Sequence, residues 1–79
     1  MNFNKFNNNY NIIGKNLKII REGKDISQDQ LSNKLSLLGI TLYQADIFKI
    51  ENNLRTVRDF ELWGFTQILG VTAETLFKV

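Results

Sequence analysis

Seventy-nine residues, 43% of them apolar, make one small folded domain and not a disordered chain. The chain has no cysteine and no histidine. That excludes disulfides, zinc fingers, Ser-His-Asp triads and Cys-His dyads. Ten basic and eight acidic residues leave a net charge of +2, a mild excess that admits a nucleic-acid partner without requiring one.

No apolar run is long enough to span a membrane, and no charged segment followed by an apolar block marks a secretory signal. The expectation is a cytoplasmic protein with no membrane contact. No constellation of catalytic side chains is present, and a chain this short hardly holds both a core and a substrate-sized cleft. It is therefore not expected to be an enzyme, nor to need a cofactor, a metal or a small-molecule ligand.

In chain order, residues 1–11 contain six asparagines and read as a loose arm preceding a domain over residues 12–79. Phe3, Phe6, Tyr10 and Ile13 fall at near-helical spacing, which leaves a packed segment open as the other reading of the arm. A first helix is expected over Asn11 to Glu22, with Ile13, Leu17 and Ile20 as its apolar stripe and Gly23 as its exit. Ser27-Gln28-Asp29-Gln30 has capping-box spacing and opens a second helix. Leu31, Leu35 and Leu38 form its buried side, and Gly39 ends it.

Thr41-Leu42-Tyr43-Gln44 offers a second capping box and opens a third helix, with Ile47 and Ile50 on its inner face and Asn52-Asn53 as its stop. A fourth helix begins near Arg58 with Thr56 as N-cap. Its inner face is Leu62, Phe65, Thr66 and Leu69, and Gly70 terminates it. Thr72 caps a short last helix through Phe77, with Leu76 turned inward. No segment alternates convincingly as a strand, and proline is absent. The fold class is all-α, a compact bundle of five helices.

Three stretches carry a family resemblance: IGKNLKIIREGKDISQDQLSNKL, then IFKIENNLR, then FTQILGVTAETLF. In this order they resemble the phage-repressor/Cro-type (XRE-like) helix-turn-helix regulators, over most of Ile13–Phe77. The resemblance implies a lambda-repressor-like DNA-binding domain whose third helix enters the major groove while the second crosses the backbone. It also implies that Arg21 pairs with Glu51, tying the first helix to the end of the third. One departure stands out. The family spends fewer residues between the positions of Leu31 and Ile47, so SLLGITLYQ is surplus. That surplus predicts a second helix longer by about a turn and an extended connection to the third.

On this reading the outer face of the third helix offers Tyr43, Gln44, Asp46, Phe48 and Lys49. Gln44 suits adenine, and Lys49 suits guanine or a phosphate. Tyr43 suits a sugar or a thymine methyl, and Asp46 a cytosine amine. Phe48 stands where the family has a small or polar residue, and either meets thymine methyls or packs inward. By resemblance Gln28 and Asn52 contact phosphates, and Asn53 replaces a glycine. Arg55 and Arg58 each grip phosphate or remain solvated surface charges. Lys5 on the arm is a minor candidate for a minor groove.

Such regulators bind as dimers. Phe60, Trp63 and Phe77 are the candidate interface, and Gly64 beside them suggests a close helix approach. The expected function is sequence-specific binding of double-stranded DNA as a repressor or autoregulator, as a homodimer. The alternative is a protein-interaction module, an antitoxin or anti-repressor, that uses the same fold to bind a protein partner.

Overall fold

Capping decides where the helices begin. The structure is a computed structural model describing residues 5–78. Residues 1–4 of the expected arm, including Phe3, and the final Val79 lie outside the described residues. Among residues 5–78 there are five helices and no strand: α1 Gly14–Gly23, α2 Gln28–Ser36, α3 Gln44–Glu51, α4 Asp59–Leu69 and α5 Ala73–Phe77. At Ser27 the hydroxyl accepts from Gln30 N (3.0 Å) while the Gln30 side chain accepts from Ser27 N (2.8 Å), the reciprocal box expected there. Thr72 Oγ1 caps α5 by accepting from Thr75 N (3.2 Å).

Elsewhere the caps differ from expectation. α1 starts at Gly14 because Asn11, three residues earlier, accepts from Ile13 N (3.1 Å) and Gly14 N (2.9 Å). Its amide nitrogen donates to Ile50 O (3.0 Å) and Arg55 O (2.8 Å). Asn11, expected in a loose arm, instead ties the start of α1 to the end of α3. Ahead of it, Phe6 and Asn9 exchange backbone hydrogen bonds (2.7 and 2.9 Å) across Asn7 and Asn8, both at positive φ. This tight turn suits asparagine, which tolerates the left-handed region. It replaces the near-helical arm segment.

Thr41 and Thr56 cap nothing. Instead the carboxylates of Asp46 and Glu61 accept from Tyr43 N and Arg58 N, each at 2.9 Å, at the starts of α3 and α4. After α1 the left-handed residue is Asp25 (φ 56°), not Gly23. Asn53 (φ 60°) and Gly70 (φ 64°) do end α3 and α4 as expected.

The core is one cluster: Ile13 and Leu17 of the α1 region, Leu31 and Leu35 of α2, Ile47 and Ile50 of α3, Phe65 and Leu69 of α4, and Leu76 of α5, with Ile40 and Leu42 added. The last two explain the surplus. α2 stops at Ser36, short of the expected end at Gly39, and Gly39 (φ 81°) turns the chain so that Ile40 N reaches Leu35 O (3.1 Å). Ile40 and Leu42 then plug the core from an extended connection, held by Ser32 Oγ donating to Leu42 O (2.5 Å). Leu38, expected inside, is left at the surface.

Two glycines are packed, for different reasons. A Cβ on Gly14 would drive into the backbone oxygen of Ile50 and sit 2.5 Å from Asn53 Oδ1. A Cβ on Gly64 would meet only Ile40 Cδ1 (2.6 Å) and Leu35 Cδ2 (2.8 Å), the far ends of side chains. Gly64 thus admits the chain's own Ile40, not the helix of a second copy. Gly14→Ala is expected to cost about 3 kcal/mol, the upper range for overpacking. Gly64→Ala should stay within about 1 kcal/mol of wild type, because side-chain shifts are offset by a gain in helix propensity. Urea denaturation midpoints of the two variants check the contrast.

Candidate nucleic-acid interface

The outer face of α3 is positioned from beneath by buried charge. Arg21 Nε donates to Glu51 Oε2 (2.6 Å) and its NH2 to Glu51 Oε1 (3.0 Å). Arg21 NH1 donates to Ile26 O (2.6 Å). Arg21 is 6% and Glu51 5% exposed, so the pair sits within the fold. The hydrogen bonds to Glu51 raise the Arg21 pKa above its ordinary value, outweighing the opposing effect of burial.

The second consequence of Glu51 is outward. Gln28 Nε2 donates to Glu51 Oε1 (2.9 Å), and Gln44 Nε2 donates to Gln28 Oε1 (2.6 Å). A carboxylate only accepts, so Gln28 must turn its NH2 inward and its carbonyl toward Gln44. Gln44 must then donate. One N–H and the carbonyl oxygen of Gln44 remain for a ligand, at the exposed start of α3. Gln28 itself, expected on phosphate, spends its side chain on Glu51 and Gln44.

The other predicted residues separate into two groups. Tyr43, Gln44, Phe48, Lys49 and Asn52 are exposed, Tyr43 at 70% and Phe48 at 50%. Phe48 therefore does not pack inward. Asn52 Nδ2 donates to Phe48 O (2.8 Å). Asp46 and Arg55 face the chain's own groups. Asp46 holds Tyr43 N and lies 4.0 Å from Arg55 Nε. Arg55 donates to both carboxylate oxygens of Glu61 (2.8 and 3.0 Å) and to Thr56 O. Asp46 and Arg55, both candidates for DNA contact, are engaged within the chain as supports of α3 and its following loop. Arg58, largely exposed, adds a longer contact to Glu61 (3.4 Å).

Glu61 is the residue the sequence reading missed. It is 1% exposed and holds three partners: Arg55, Arg58 and the backbone N–H of Arg58. Burial pushes its pKa up, but the hydrogen bonds from Arg55 and Arg58 N and the two positive charges prevail, holding it below the ordinary carboxylate value. The Arg55 pKa is raised in turn by the same hydrogen bonds. The signal available in the sequence was the spacing of Arg55, Arg58 and Glu61, three residues apart each time.

The three aromatic interface candidates are all exposed. Phe60 and Trp63 lie one turn apart on α4, each 50% exposed. Phe77 lines a groove of about 600 Å³ with Tyr10, Val57 and Leu62, and neither Phe60 nor Trp63 reaches it. Lys5 lies over the Tyr10 ring (4.9 Å) at the rim of that groove, a cation–π contact. Among the described residues no helix is long and apolar enough to cross a membrane.

No protein-family model, curated protein or solved structure matches this chain.

Proposed function

We propose that the protein is a sequence-specific binder of double-stranded DNA, a lambda-repressor-like regulator that lays the exposed face of α3 in the major groove. The observation that carries this reading is the chain of hydrogen bonds from Arg21 through Glu51 and Gln28 to Gln44. It leaves Gln44 with an acceptor and a donor side by side at the tip of α3. Adenine presents the complementary pair, the N6 amine and N7, in the major groove. A prealigned amide loses less freedom on binding than a free one. Lys49 on the same face and the N-terminus of α2 supply phosphate contacts.

A homodimer, with Phe60 and Trp63 of α4 as the contact between copies, brings two such faces to two half-sites. Regulation of transcription as a repressor or autoregulator follows from occupancy of a site near a promoter.

The test is fluorescence anisotropy with duplex from the region upstream of the protein's own gene and a scrambled control, across a salt series. Specific binding with a steep salt slope is expected. Gln44→Ala should weaken it by about 1–3 kcal/mol, the value of one bidentate base contact. Equal, feeble binding to both duplexes would instead favour a protein partner for the exposed aromatic residues.

A further inference from the structure

The groove beside α5 holds about 600 Å³, a volume within the range of small-molecule sites. Its apolar walls come from three separate parts of the chain. Phe6 and Tyr10 stand ahead of α1, Val57 and Leu62 lie in the α3–α4 loop and α4, and Phe77 ends α5. Val57 and Leu62 pack against the core, but Phe6 and Phe77 do not, and both are exposed. The wall ahead of α1 is pinned in place. Tyr10 N donates to Asn53 O (3.1 Å), and the Asn11 amide bridges Ile50 O and Arg55 O. The groove is thus built into the fold and needs no rearrangement to admit a ligand.

Charge at the rim selects the sign of that ligand. Among the described residues lining the groove, Lys5 and Arg58 are basic and Asp59 alone is acidic. Lys5 rests over the Tyr10 ring (4.9 Å), which sets a positive charge against an apolar wall. Arg58 gives Glu61 one long hydrogen bond (3.4 Å) and keeps most of its N–H donors for another partner. Two cations against one carboxylate favour an anion, and the walls favour a hydrocarbon body.

We propose that this groove binds a small amphipathic monocarboxylate, its chain covering Phe6 and Phe77 and its headgroup at the Lys5 and Arg58 rim. The proposal goes beyond the DNA-binding reading, does not depend on it, and replaces the expectation that the chain takes no small-molecule ligand.

The experiment titrates the isotope-labelled full chain with decanoate, followed by amide NMR, beside decyltrimethylammonium, an alkyl chain of like length carrying the opposite charge. Decanoate should saturate with shifts at Tyr10, Val57 and Phe77, and should bind about fivefold more tightly than the ammonium, the effect of one exposed charge pair. Lys5→Gln leaves one cation against one acid and should bring the two ligands to equal affinity. Phe6→Ser removes part of the wall and should weaken decanoate about tenfold. Both positions lie outside the core, so thermal melts of the two variants should match wild type.

Equal affinity of wild type for the two ligands would overturn the assignment. Shifts confined to Phe60 and Trp63 would do the same, by placing the ligand on the other aromatic residues. If the groove amides move with protein concentration and not with decanoate, a second copy of the chain covers them and the proposal falls.

Discussion

Replacing Glu51 by alanine is expected to remove about 3–5 kcal/mol of stability, enough to unfold much of the population. The change leaves Arg21 nearly buried with only the Ile26 carbonyl to bond to. The cost comes from the stranded guanidinium more than from the loss of a favourable pair. A double substitution that removes both charges, Arg21→Met with Glu51→Leu, should therefore recover most of the stability. It should not recover base discrimination. Without the carboxylate, Gln28 has no fixed acceptor and Gln44 is free to rotate. Urea denaturation of the three proteins separates these effects, and a double variant as unstable as Glu51→Ala would show that packing, not charge, dominates the site.

Glu61 should make the protein acid-sensitive. Its folded pKa lies below its unfolded one, so its contribution is present above the ordinary carboxylate range and is lost as pH falls through the folded value. Wild type should lose stability progressively below about pH 5. Glu61→Gln is neutral at every pH and lacks this dependence. At pH 7 it should be less stable than wild type by about 3 kcal/mol, because Arg55 loses a buried counter-charge. The gap should narrow as the wild-type carboxyl protonates. Urea melts of both proteins from pH 7 to pH 3 read the gap directly. A gap independent of pH would mean that the Glu61 carboxyl is not held in its charged form by Arg55 and Arg58.

The elements that a short sequence window decides were legible. Ser27 and Gln30 make a reciprocal cap from four consecutive residues, and Asn53 and Gly70 supply the left-handed geometry that ends α3 and α4. The inner stripes of α1 and α3 follow from helical period alone. What was hidden depends on contacts between distant segments. Asn11 reads as arm until its amide is seen to bridge Ile50 and Arg55, about 40 residues away. Leu38 fits the period of α2, but the helix stops at Ser36, and Ile40 and Leu42 take the apolar space instead.

The site divides in the same way. That Tyr43, Gln44 and Lys49 lie on the exposed face of α3 was visible in the pattern of charged and apolar residues, whereas that pattern left Phe48 open between outward contact and inward packing. That Asp46 and Arg55 are occupied was not, because Glu61 resembles a surface acid on an amphipathic helix. Its burial follows from how α4 rests on the loop after α3.

The most direct measurement is selection of bound duplexes from a randomised pool, with wild type and Gln44→Ala side by side. Wild type should enrich one short motif, repeated as two half-sites and containing an adenine that Gln44→Ala no longer prefers. A pool that stays random for wild type, or a motif unchanged by Gln44→Ala, would contradict base reading by α3.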